Sequence, residues 1–97
     1  MTRAVVAGIP QDGTRTQKRW LDATDTALRA LGIKEAESYT PARRRQAPRG
    51  TLTGADAVLV VAGYYHYEAV VAEARRARLP VYRVYLDGRV EKIGAEA

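Results

Sequence analysis

Apolar residues fall in short blocks along this chain, and the blocks alternate with stretches of helical period. Ala4-Val5-Val6-Ala7 is a continuous apolar run of strand length, the pattern of a strand buried on both faces. Gly8 to Gly13 has the composition of a turn. Thr14-x-x-Gln17 then has capping-box spacing. Trp20, Leu21, Thr24, Ala27, Leu28 and Leu31 recur on one helical face up to Gly32, which predicts a helix from Thr14 to that glycine. Lys34 to Tyr39 reads as a polar strand, and Thr40 to Gly54 as a basic loop holding Pro41, Pro48, Gly50 and Gly54. Ala57 to Ala62 is apolar throughout and is the clearest strand of the chain. Tyr65 to Leu79 predicts a second helix with Val70, Ala74 and Ala77 along one side, stopped by Pro80. Val81 to Tyr85 is an alternating strand in which Arg83 interrupts one face. Asp87-Gly88 has the composition of a two-residue hairpin turn, so Arg89 to Ile93 can pair back as an antiparallel C-terminal strand. Residues 94–97 are expected to fray.

Strand–helix–strand alternation implies parallel units with right-handed crossovers. Strands apolar on both faces belong in the middle of such a sheet and polar or alternating ones at its edges. The expected fold is therefore α/β, a small Rossmann-like or flavodoxin-like parallel sheet of order 2-1-3-4, spanning residues 1–97 as one domain. That order puts the two helices on opposite faces. The second crossover, Thr40–Gly54, should carry a helix beside the second one but shows little helical pattern, so one face is underfilled. Either a subunit contact or this loop folding back is expected to cover it, and a homodimer is the expected assembly.

Composition narrows the chemistry. With 97 residues the chain has room for a single core. It has no Cys and one His, which leaves neither a disulfide framework nor a thiolate or His-rich metal site, and no cofactor is called for. No apolar run approaches the ~18 residues of a membrane span, and the apolar stretch near Met1 is too short for a signal peptide. A cytoplasmic protein without a membrane contact is expected. The formal net charge is +5, and Arg supplies thirteen of the sixteen basic residues. Arg pairs bidentately with phosphate, so an anionic partner is expected, although GC-rich coding produces the same bias.

Open parallel sheets bind ligands beyond the carboxyl ends of their strands, where the strand order reverses. Three segments emerge there: Gly8–Arg15, Tyr39–Gly50 and Gly63–Glu68. In the first, Gly8, Asp12, Gly13 and Thr14 offer a small-residue helix start of the kind that holds phosphate, or simply an ordinary capped turn. The second holds Arg43, Arg44, Arg45 and Arg49, the densest charge in the chain, read either as a phosphate clamp or as a solvated run. In the third, Gly63, Tyr64, Tyr65 and His66 open a helix that has no Ser, Thr, Asp or Asn to cap it. Its rings are placed to stack on a base or ribose, or else to pack against the core edge.

The chain also resembles the nucleoside 2-deoxyribosyltransferase-like family. The likeness runs from Val5 to about Val84. It rests on Val5-Val-Ala-Gly-Ile-Pro10, the helix Trp20–Gly32, Tyr39-Thr-Pro41, Gly54-Ala-Asp-Ala-Val-Leu-Val-Val61 and the Ala74–Val81 exit. The resemblance implies a Rossmann-like fold and a nucleotide-like ligand. Asp56 matches in this stretch and reads as a strand-entry residue. Family enzymes carry a tyrosine in the first strand, where this chain has Val5 and Val6. They also carry an Asp-Ser-Gly-Thr-like loop, where this chain has Gly63–Tyr67. Glu68 and Glu73 are the candidates for the family's nucleophile, and neither falls in register. A small nucleotide or nucleoside-phosphate binding protein is thus the leading expectation, more so than an enzyme. The alternatives are a hydrolase or transferase acting on an N-glycosidic bond through Glu68, and a module that meets nucleic acid or an acidic protein through the Arg43–Arg49 loop.

Overall fold

The computed structural model describes residues 2–42 and 45–93. Strand β1 (Arg3–Ala7) is followed by helix α1 (Arg15–Leu31) and strand β2 (Glu35–Ser38). Strand β3 (Ala57–Val61), helix α2 (Tyr67–Arg76), strand β4 (Val81–Val84) and strand β5 (Val90–Ile93) complete the chain. The sheet runs β2-β1-β3-β4-β5. Its first three pairings are parallel, and β5 joins β4 antiparallel. This is the expected order. Val5 lies beside Val58 and Val6 beside Leu59, so the two apolar blocks form the buried centre. Polar β2 is exposed at every position and takes one edge.

Each helix stands on its own face. On one face Ala23 and Ala27 of α1 pack against Ala4, Val6, Leu59 and Val84. On the other, Val70, Val71 and Ala74 of α2 pack against Val5, Val58 and Val60. The face expected to be underfilled, beside α2, is covered in part by the chain itself. Tyr39, Leu52 and Ala55 of the β2–β3 connection join the α2 core, which is the fold-back of this loop that the sequence offers as one of its two covers.

Several boundaries differ from expectation for local reasons. In α1 the buried stripe is Ala23, Thr24 and Ala27, while Leu21 is about half exposed, because small residues let the helix sit close to the sheet. Helix α2 begins two residues late, after a turn closed by the Tyr67 N–H donating to the Tyr64 carbonyl. It ends early because Arg78 takes a left-handed conformation (φ 59°). Arg78 N–H then donates to Arg75 and Leu79 N–H to Ala74, a Schellman close. Ala77, outside that helix, is exposed. The β4–β5 turn has three residues rather than two. Tyr85 and Arg89 close it, the Gly88 N–H donates to the Tyr85 carbonyl, and left-handed Gly88 makes the bulge that this loop length requires. Among the described residues no helix is long and apolar enough to cross a membrane. The expected frayed tail, 94–97, lies outside the described residues.

Asp56 staples the entry of the sheet. Its Oδ2 accepts from the Thr2 and Arg3 N–H groups at 2.9 and 3.0 Å and from the Thr2 hydroxyl at 3.0 Å. The Thr2 and Arg3 amides, then the Thr2 hydroxyl, stabilise the carboxylate and hold its pKa below the ordinary value of 3.8. The unfolded chain therefore binds the proton more tightly, and the staple's contribution is present above 3.8 and lost as pH falls through the lower folded value. An Asp56→Ala variant is expected to melt below the wild type at neutral pH, with the gap closing in acid. Melting curves across pH check this, and a gap that persists in strong acid contradicts it.

Candidate functional site

A hollow of about 590 Å³ opens where β1, β2 and β3 end, at the point where the strand order reverses. Its walls come from the three expected connections. The first contributes Gly8, Ile9, Pro10 and Gln11, the second Ser38, Tyr39, Thr40, Arg49 and Gly50, and the third Gly63, Tyr64 and Tyr65. Val6 and Val61 sit at its base and Trp20 of α1 closes one side. Arg49 is the charged side chain among these lining residues.

Tyr64 shapes the hollow by lying directly on Gly8. A methyl group at Gly8 would stand 2.8 Å from the Tyr64 ring, and the Gly8 backbone is left-handed at φ 100°. Glycine therefore serves twice, allowing both the turn and the close approach of the ring. Next along the chain, Tyr65 is 85% exposed, so its ring face is free at the rim. The His66 ring lies 4.4 Å from that of Tyr65 and edge-on to that of Tyr64 at 5.5 Å.

The other candidates lie around the hollow rather than in it. Asp12, Gly13 and Thr14 are spent on the start of α1. The Asp12 carboxylate accepts from the Thr14 hydroxyl at 2.6 Å and from its N–H at 3.1 Å. Gln17 Oε1 accepts from the Gly13 N–H, and Thr14 Oγ1 accepts from the Gln17 N–H. The expected capping box is therefore formed in part: Thr14 caps the Gln17 N–H, but Gln17 reaches the Gly13 N–H while the Thr14 N–H is taken by Asp12. The bonds from Thr14 hold the Asp12 pKa below its ordinary value, so that carboxylate is charged at neutral pH. Two basic residues of the clamp, Arg43 and Arg44, lie outside the described residues. Arg45 is exposed and does not line the hollow.

His66 stands at the start of α2 and no side chain caps that helix, as the sequence suggests. Its Nε2 is buried with no hydrogen-bond partner among the described residues. Glu68, in the first turn of α2, is exposed and outside the lining. Glu73, the other candidate nucleophile, accepts from the Tyr39 hydroxyl and from the Ala42 N–H at 3.0 Å. Among the described residues no group of His, Cys, Asp and Glu side chains gathers to hold a metal.

Sequence reasoning missed Trp20, which its spacing places on the core face of α1, and it missed the part played by Ser38 and Thr40. The available signal was Tyr39-Thr-Pro41, a strand ending at the binding edge. Comparison of the chain with family models, curated proteins and solved structures gave no match.

Proposed function

We propose that the protein binds a phosphorylated nucleoside or nucleotide in the hollow beyond β1, β2 and β3. The observation that carries this reading is that Trp20, Tyr64, Tyr65 and Arg49 line one cleft at the switch point of the sheet. Aromatic side chains recognise a base by stacking, and an Arg fork suits phosphate. The volume falls within the roughly 300–1,000 Å³ of small-molecule clefts. The likeness of the sequence to the nucleoside deoxyribosyltransferase-like proteins points to the same ligand class. With the start of α1 spent on Asp12, the phosphate falls to Arg49 rather than to Thr14. Among the described residues the lining holds no carboxylate or imidazole to act as nucleophile or base, and exposed Glu68 stands outside it, which favours binding over cleavage of an N-glycosidic bond.

Calorimetry with mono-, di- and cyclic nucleotides tests the proposal. Saturable heat is expected, and Arg49→Ala is expected to weaken binding by about tenfold or more, the worth of one charged hydrogen bond. No heat at high-micromolar nucleotide from folded protein overturns it. Tight binding to long nucleic acid with a steep salt dependence, and none to free nucleotides, would favour an interaction module instead.

A further inference from the structure

Glu73 lies outside the hollow, yet both of its carboxylate oxygens are engaged by the segment that forms one wall. The Tyr39 hydroxyl donates to Oε2, and the Ala42 N–H donates to Oε1 at 3.0 Å. Between these two residues stands Thr40, whose N–H donates to the Arg49 carbonyl at 3.0 Å and whose carbonyl accepts the Arg49 N–H at 3.1 Å. Tyr39 is 4% exposed; it is among the residues lining the hollow and it belongs to the α2 core. A continuous set of contacts therefore runs from α2 through Glu73, Tyr39 and Thr40 to Arg49.

We infer that Glu73 is a positioning residue for the ligand: its carboxylate clamps the 39–42 segment against α2 and thereby holds Arg49 at the rim. The inference rests on the nucleotide reading of the hollow. Hydrogen bonds to a carboxylate are stronger than neutral ones, and a half-buried carboxylate that loses its donors is left poorly solvated. The clamp therefore resists opening from both sides. Without it, the Thr40–Arg49 bridge is held to the body of the protein by the Tyr39 N–H bond to Val6, at 2.8 Å, and by the buried ring of Pro41.

Two measurements on the full chain test this, with Glu73→Gln as the conservative control beside Glu73→Ala. In ligand-free protein, Glu73→Ala is expected to speed amide exchange at Thr40 and Arg49 about tenfold, while β1 and β3 amides stay protected. Glu73→Gln, which keeps an acceptor, is expected to show a smaller change. Unchanged exchange at those two amides overturns the inference. Calorimetry with nucleotide then supplies a cycle. Glu73→Ala is expected to weaken binding about tenfold in the wild-type background and to add little on top of Arg49→Ala, because it acts through that side chain. Additive losses overturn the inference whatever the exchange shows. If the wild type takes up no nucleotide, the ligand reading falls, and exchange alone decides whether Glu73 clamps the rim.

Discussion

A Gly8→Ala variant is expected to melt about 10 °C below the wild type and to bind nucleotide at least about tenfold more weakly. Two separate penalties act at this position. The backbone sits at φ 100°, which an L-residue adopts only under strain. The added methyl group would also stand 2.8 Å from Cγ and 2.9 Å from Cβ of Tyr64, and Cβ is tied to the backbone and cannot swing clear. Together these amount to roughly 2 kcal/mol, and about 4–8 °C per kcal/mol applies to a domain of this size. Relief requires Tyr64 or the Gly8 loop to move, and both are walls of the hollow. Stability and binding should fall together. A variant with wild-type melting and affinity would show that Tyr64 does not rest on Gly8 in solution.

Leu59→Ala is expected to cost about 2–5 kcal/mol without altering the hollow. Leu59 is fully buried at the centre of β3, beside Val6 on one side and Tyr82 on the other. It is the largest of the fully buried side chains, and its cluster is otherwise rich in alanine: Ala4, Ala23, Ala27 and Ala57. Small neighbours bring α1 close to the sheet but cannot reach in to fill a vacated space, so the loss belongs in the upper half of that range. Against a total stability of about 5–15 kcal/mol this is a large fraction. Urea unfolding should show a lower midpoint with an unchanged slope. Because Leu59 does not line the hollow, nucleotide affinity at low temperature should be retained. A loss below about 1 kcal/mol would mean that the α1 core repacks freely. The contrast with Gly8, where stability and affinity fall together, separates damage to the core from damage to the site.

What the amino-acid order determined by itself is the architecture. The blocks Ala4–Ala7 and Ala57–Val61 are apolar on both faces, and only central strands bury both faces, so the polar Glu35–Ser38 segment was left for an edge. The alternation of strands and helices set parallel pairing, and with it the edge at which the hollow opens. That Gly8, Gly63, Tyr64 and Tyr65 would gather at this edge was legible for the same reason: they follow directly from strand ends, whose direction the topology dictates.

Tertiary structure decided the rest. Capping chemistry and phosphate binding draw on the same groups, and only the fold shows that Asp12, Gly13, Thr14 and Gln17 bond to one another at the start of α1. Within the basic loop, Arg49 lines the hollow and Arg45 does not, because the backbone bridge from Arg49 to Thr40 brings that end of the loop beside the end of β2. Trp20 has the spacing of a core residue, and its position at the end of the α1 stripe makes it a wall. Glu73 was a candidate nucleophile by residue type, and only the fold shows that its carboxylate accepts from the hydroxyl of Tyr39, thirty-four residues away. Periodicity records which face of an element is apolar. Which polar group meets which across the fold depends on contacts between distant segments, and no local pattern carries that.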